Sequence, residues 1–555
     1  MKIQASKFTI ALLMAALSPA VVLAKTTLIK NVQGYTIENN KLQQFSALTF
    51  TDDKIDQLYF ADDTLPNNKT LSVIDGQGKT LIPGLIDAHG HILNYGLSLL
   101  QADLVNSSSE QDAINRTLAY AKANPELKWL QGRGWNQTQW PSNAFPSAKS
   151  LDAIFPDQPV WLERVDGHAG WANSKAMAIA GITKDTVSPE GGDIIKDENG
   201  QPTGVFIDNA MALIHNSIAP LTKTEQKQVL VKAMNALASF GLTSVHDAGI
   251  TAKDIEIYKE LSQENALNIR VNAMLYLPSP QWQQGLAKGQ YRSKDDMFTF
   301  NSVKIQADGA LGSRGAALID DYSDHPGHRG LLLNTPAAFE NLVATSMKQG
   351  FQVNSHAIGD HANQLVLDTY EKHIKASKTQ ALRHRVEHAQ VLRLSDIPRF
   401  AELDIIASMQ ATHATSDKNM AQDRLGPDRI LGAYAWRKLL NAKAIIAAGS
   451  DFPVESPNPF FGLHASITRQ DHQNRPQGGW FAKEKMTPLE AFRSFTLDAA
   501  YSGHQENIIG SLAAGKKADF VLIDENMFTL PEQDIWKISV NKTWVNGKLV
   551  YKKVQ

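Results

Sequence analysis

The sequence predicts an α/β protein built on a (β/α)8 barrel of the TIM type. A small composite β-domain is expected from the two chain ends, and an inserted subdomain after the first barrel strand. Three observations carry this reading. Short β-branched runs alternate with segments of helical periodicity through the middle of the chain. Eight such runs can be read, the number that closes a parallel barrel. Several of them end in His or Asp, as expected where functional side chains gather at the C-terminal ends of barrel strands.

The first run is "LIPGLIDAHGHI", residues 81 to 92. The others are "TSVHDAG", "IRVNAMLYL", "SVKIQADG", "FQVNSHA", "HRVEHA", "DIIASMQAT" and "AIIAAGSD", all after residue 240. The long interval after the first run far exceeds one βα connection of about 2 to 6 residues plus a helix, so an insertion is placed at about 104–238 within a barrel of 83–499. Its Trp- and Gly-rich stretches, "WLQGRGWNQTQWP" and "PVWLERVDGHAGWANSKAMAIAG", are expected to cover the barrel mouth and shape a pocket. Residues 25–82 and 500–555 carry short strand-like runs, with Asn546-Gly547 as a hairpin signal, and form the composite β-domain.

With 555 residues, 43% of them hydrophobic and 20% charged, the chain can bury a large core. A formal net charge of −2 gives no electrostatic footprint for nucleic acid or an anionic membrane. Lys2 and Lys7 precede an apolar run from Phe8 to Ala24, which reads as a cleavable export signal over 1–24 and implies a periplasmic or secreted protein. No later stretch is apolar enough to span a bilayer, so no stable membrane anchor is expected after cleavage. Zero cysteines exclude disulfides, thiolate metal sites and cysteine nucleophiles.

Any metal must therefore be held chiefly by His and carboxylate. His89 and His91 form an H-x-H at a strand end opening into a loop, and would share one side of the strand. His356 and His388 end two further runs, and Asp451 follows a buried apolar run and a Gly-Ser. Each alone has an ordinary structural reading, such as a satisfied histidine or a helix cap. Together they make a donor set suited to Zn²⁺ or a similar ion.

His384 to His388 also spells H-x-x-E-H, the zinc motif of one class of metalloproteases. On a helix the two histidines would lie about 6 Å apart and share an ion. In a strand they would lie about 13 Å apart, and one alone could reach the site. Because His388 ends a β-run as His91 and His356 do, the strand reading is favoured. Lys304, between Val303 and Ile305, is either a paired strand lysine or an amine that CO₂ could convert to a metal-bridging carbamate.

"LIPGLIDAHGHI", "VKIQADGALGSRG", "HAIGDHA", "VEHAQ", "SMQATHATSD", "GSDFPVESPNPF" and the tail "GSLAAGKKADFVLIDEN" together resemble the amidohydrolase superfamily. The likeness is strongest to its family 3, the YtcJ-like branch that includes N-substituted formamide deformylases, and runs from about residue 25 to the C-terminus. It implies a (β/α)8 barrel with a small composite β-sandwich from both chain ends, and two zinc ions per chain at the barrel mouth, the first on His89 and His91 and the second on His356 and His388. A carbamylated Lys304 would bridge them, and Asp451 would bind and handle the proton. Trp135, His168, Asp308, Arg314 and His413 lie in the motifs as candidate substrate contacts. Asn136 and Ala411 depart from the branch, which commonly has Asp and Pro there.

The expected activity is metal-dependent hydrolysis of a non-peptide C–N bond in a small N-acyl or N-formyl amide. A divalent ion can bring the pKa of its bound water from 15.7 to about 7 and polarise a carbonyl. Asp451 is the candidate to move the proton to the departing nitrogen. Ester or lactone hydrolysis, or deamination, at the same centre is the alternative enzyme. A catalytically silent exported binding protein is the alternative of another class. A homo-oligomer is compatible with all three.

Overall fold

The computed structural model describes residues 25–554; the expected export segment, 1–24, lies outside them. Eight parallel strands form a nearly closed barrel in chain order: β1 (Leu85–Gly90), β2 (Leu242–Ile250), β3 (Arg270–Leu277), β4 (Phe298–Gln306), β5 (Gln352–Ala357), β6 (Arg385–His388), β7 (Ile406–Gln410) and β8 (Ile446–Gly449). The ring is completed where β8 runs out beside β1, with Asp451 N–H donating to the His89 carbonyl at 2.7 Å. Gly449 permits this approach: a Cβ there would lie 2.6 Å from the His89 nitrogen.

Helices cover the outside. The helix Lys223–Ser239 shows why these segments fold as they do. Thr222 caps its first turn and Glu225 closes a capping box, worth about 1 kcal/mol, while Val229, Leu230, Ala233, Met234 and Leu237 form one buried stripe. Leu230 and Ala233 belong to the same apolar core as the barrel strands. This helix fell inside the expected insertion of 104–238, but it packs as a barrel helix.

The inserted sheet has six strands, in the order Gly192–Lys196, Pro202–Asp208, Ala169–Ala172, Val160–Arg164, Leu130–Trp135 and Ala102–Asp103. Strand alternation gives it two apolar faces. Leu130, Trp135, Trp140, Leu162, Trp171 and Val205 fill one, and Trp161, Met177, Phe206 and Ile214 the other. The expectation that tryptophans of this segment offer a substrate pocket is corrected for Trp135, Trp140 and Trp171, which are 0%, 3% and 0% exposed. Each is consumed as core.

Two further sheets face each other across Ile29, Leu48, Phe50, Leu81, Phe520, Leu522 and Trp544. One has four strands, all from residues 26–75. The other joins both chain ends: Thr80–Pro83 pairs antiparallel with Phe520–Ile523 and parallel with Gln33–Glu38. The Asn546-Gly547 hairpin has positive φ at both residues, 49° and 70°, as a type I′ turn requires. A buried ion pair joins this sheet to the barrel, Arg270 Nε donating to Asp519 Oδ2 at 2.6 Å. Among the described residues no helix is long and apolar enough to cross a membrane.

Candidate metal centre

The C-terminal ends of β1, β4, β5, β6 and β8 converge on one buried polar cluster. β1 contributes His89, whose Nδ1 is held by Glu387 Oε2, leaving Nε2 directed inward. Just after β1, His91 presents its Nε2 to Asp451 Oδ1 at 3.0 Å, and His89 Nε2 lies 3.5 Å from the same oxygen. Lys304 of β4 is 2% exposed, with Nζ 3.1 Å from His89 Nε2. The His388 ring lies 4.8 Å from that of His89 and 4.5 Å from that of His356, centroid to centroid.

Supporting residues hold these groups. Asp87 accepts from His89 N (3.0 Å), Ser450 N (3.1 Å) and Ser450 Oγ (2.6 Å), so one carboxylate ties the ends of β1 and β8. Asp247 accepts from Ile92 N at 3.1 Å and steadies the turn that carries His91. Arg385 and Glu387 form a buried ion pair, Nε to Oε1 at 2.7 Å. Arg385 donates in addition to Ala88 O (2.6 Å) and Ser408 Oγ (2.8 Å), and pairs with His246 Nδ1 (2.9 Å). Gln410 Oε1 sits 2.7 Å from His388 Nδ1 and so leaves His388 Nε2 free.

The electrostatics suit a cation. Burial pulls the His89 imidazolium down to a pKa of about 4, and the Lys304 charge adds to this against Glu387 and Asp451. Burial likewise drives His356 and His388 well below the usual histidine range. Asp451 moves the other way: burial would raise it, but the neighbouring imidazoles of His89 and His388 and the contact with His91 hold it well below the usual carboxylate range. Burial lowers Lys304 to about 8, bringing it nearer the neutral amine. Neutral imidazoles facing an ionised carboxylate are the protonation states that bind metal.

The donor set also fits an ion on a second count. His356 Nε2 and His413 Nε2 are buried without a hydrogen-bond partner, a costly state for two atoms in one neighbourhood. Two groups of donors lie mutually within 4.8 Å: His89, His91 and Asp451, and His388, His413 and Asp451. A carboxylate at Asp451 is common to both.

The candidate substrate contacts separate. His168 lies beside the cluster, its ring 5.7 Å from that of His356 and its Nδ1 2.5 Å from Asp208 Oδ1. Burial opposes its charge, but Asp208 overrides this and lifts it to about 9. His413 sits deeper than expected, with Nε2 3.7 Å from Asp451 Oδ2. Asp308 is fully buried and accepts from Ala317 N, Ile358 N and Gly359 N at 2.8 to 2.9 Å, so its side chain braces the loops after β4 and β5. Arg314 is tied to Asp324 at 2.9 Å. Trp135 donates Nε1–H to Leu162 O within the inserted sheet. Asn136 accepts from Arg164 Nη2 at 2.9 Å, and Arg164 pairs with Asp166.

His384 stands apart from the centre. Its Nδ1 accepts from Val353 N at 3.0 Å. The H-x-x-E-H string is thus strand-borne, and only its last two residues touch the site. Strand parity alone would turn His388 away from Glu387, but His388 takes φ of +74° and Ala389 +43°, which swings its ring inward. Glu387, Arg385 and Gln410 are residues that sequence reasoning missed. The pairing of Arg385 with Glu387 along one strand face was the available signal.

A family model described as the amidohydrolase family matches residues 72–551. The chain belongs to the amidohydrolase family. This amidohydrolase is 33% identical over 494 residues to the protein LONG AFTER FAR-RED 3 of Arabidopsis thaliana, covering 86% of this chain and 83% of that one. It is 32% identical over 485 residues to YtcJ of Bacillus subtilis (strain 168), covering 86% and 90%. To the N-substituted formamide deformylase of Arthrobacter pascens it is 25% identical over 498 residues, covering 87% and 90%. Among solved structures, an uncharacterized metal-dependent hydrolase from Pyrococcus horikoshii OT3 superposes with a TM-score of 0.73 at 25% identity, over 92% of this chain and 99% of that one. The protein is accordingly a hydrolase.

Proposed function

We propose that this amidohydrolase hydrolyses the C–N bond of small, non-peptide N-acyl or N-formyl amides, using two zinc ions held by His89, His91, Lys304, His356, His388 and Asp451. The observation that carries the reading is the position of Asp451, whose Oδ1 lies 3.0 Å from His91 Nε2 and 3.5 Å from His89 Nε2. An ionised carboxylate at that point can both bind a cation and accept a proton. Ions bound there would acidify water and polarise the scissile carbonyl.

Asp451 takes the proton at a carboxylate oxygen and returns it to the departing nitrogen. His168, charged through Asp208, is placed to donate toward the substrate's acyl oxygen. Lys304, with a pKa lowered to about 8, has the amine fraction that carbamylation needs. The name of the Arthrobacter relative supports formamides as the first substrates to try. The segment 1–24 is proposed as an export signal, which would deliver the chain to the periplasm or the medium.

The test combines metal analysis with turnover. Purified protein is expected to hold close to two zinc ions per chain and to hydrolyse members of a panel of N-substituted formamides and acylated amino acids. Turnover confined to lactones, or a chain that binds no metal at all, would overturn the proposal.

A further inference from the structure

We propose that Asp417 and Glu455 form a cation-binding subsite beside the metal centre, and that the substrate is an amide carrying an ammonium group on a short aliphatic spacer. This rests on the reading of the centre as one that hydrolyses small amides, and adds the class of amide it takes.

The helix Ala411–Asp417 directly follows β7 and carries His413, Ser416 and Asp417, spaced so that all three share one face. His413 meets the centre, its Nε2 lying 3.7 Å from Asp451 Oδ2. Ser416 Oγ donates to Glu455 Oε1 and so ties the loop after β8 to that helix face. Glu455 follows Asp451 round a turn in which Val454 N donates to Asp451 O at 2.8 Å. Helix and loop thus bring both carboxylates to one edge of the centre, and each keeps part of its surface open to solvent.

Among the described residues the hydrogen-bond partners of both are neutral. Asp417 Oδ2 accepts from the Tyr434 hydroxyl at 2.7 Å and from Gln390 Nε2 at 3.3 Å, and Glu455 accepts from Ser416. The cations nearby are engaged elsewhere. Lys418 Nζ turns to Asp471 at 2.9 Å, while Arg164 pairs with Asp166 and donates to Gln137 Oε1 at 2.8 Å and Asn136 Oδ1 at 2.9 Å. Burial lifts both carboxyls above their ordinary pKa, with His413 the first of the charges that oppose this. A cation between them favours the ionised form of each.

A second observation marks room for a ligand at the same edge. His413 is 8% exposed, and its Nε2 is buried without a hydrogen-bond partner. Water or a polar group of a bound molecule satisfies such an atom. With the scissile amide at His413 and the metal centre, the substituent meets Asp417 one helical turn on, about 6 Å away. A short spacer covers that distance. A neutral alkyl chain there would shut two carboxylates away from water without a partner, whereas an ammonium supplies the missing charge.

The experiment assays the full zinc-loaded protein on the mono-N-formyl derivative of butane-diamine and on N-pentylformamide, which has a methyl group where the diamine has its ammonium. The proposal expects kcat/KM at least tenfold higher for the charged substrate. In Asp417→Asn and in Glu455→Gln that ratio should fall at least tenfold, through the KM of the charged substrate. Equal kcat/KM in the unaltered protein, or a loss in the variants shared alike by both substrates, would overturn the proposal and leave the two carboxylates as props of the loops after β7 and β8. The comparison in the unaltered protein decides even where a variant does not fold. If no amide is turned over at all, calorimetric titration of the zinc-loaded protein with butylammonium separates the two readings. Binding that weakens at least tenfold in either variant keeps the subsite and discards amide hydrolysis, and no binding discards both.

Discussion

Replacing Glu387 by Gln tests the mechanical support of the centre. Glu387 is fully buried, paired with Arg385 at 2.7 Å and bonded to His89 Nδ1. Gln keeps the shape but removes the charge and turns one acceptor into a donor facing Arg385. Removing one partner of a buried ion pair costs about 3 to 5 kcal/mol. Arg385 keeps Ala88 O, Ser408 Oγ and His246, so the loss falls at the low end, about 3 kcal/mol. Loosening His89 should also weaken metal binding by roughly 10- to 100-fold.

Burial alone would raise the Glu387 pKa, but Arg385 and His89 depress it below the reference value of 4.5. A depressed carboxylate stabilises above its unfolded pKa and ceases to do so as pH falls through its folded one. The gap between the two proteins should therefore be full at neutral pH and narrow below about 4.5. Denaturant unfolding of metal-free protein across pH, with a chelator competition for zinc, measures both effects. A variant within about 0.5 kcal/mol of the parent at neutral pH, with unchanged zinc affinity, would refute the account of Glu387.

His384→Ala should cost about 2 kcal/mol by leaving Val353 N–H unpaired, yet keep the full metal content, whereas His388→Ala should lose metal; equal metal loss in both would count against the strand assignment. Asp208→Asn should bring His168 down from about 9 toward 6.5, followed by imidazole NMR. Because a raised pKa stabilises below the unfolded value and loses that effect as pH rises through the folded one, Asp208→Asn should be less stable than the parent below pH 6.5 and equal to it well above 9. An unshifted His168 titration would dismiss the ion pair as its cause.

All eight barrel strands were legible because each is a β-branched run bounded by turn residues, and β5 (Gln352–Ala357) coincides almost fully with "FQVNSHA". The histidines and Asp451 were legible because they stand at strand ends. Less could be read where long-range packing decides. Asp308 reads as a substrate contact, but three backbone N–H groups, from the loops after β4 and β5, hold its carboxylate. Trp135 looks like a pocket wall, but Trp140, Phe145 and Trp171 pack around it in the core of the inserted sheet. The inward turn of His388 depends on a left-handed backbone at a residue that is neither Gly nor Asn, so no local signal announces it.

Thr80–Pro83 runs through Gly84 into β1, and Gly84 N–H donates to Asp519 O at 2.9 Å. The stretch that aims His89 and His91 is thus clasped by residues near the opposite terminus. That stretch is held in place only when residues 519–523, more than 400 positions further along the chain, have folded against it. Trimming the C-terminal sheet would therefore loosen side chains that lie in another part of the molecule.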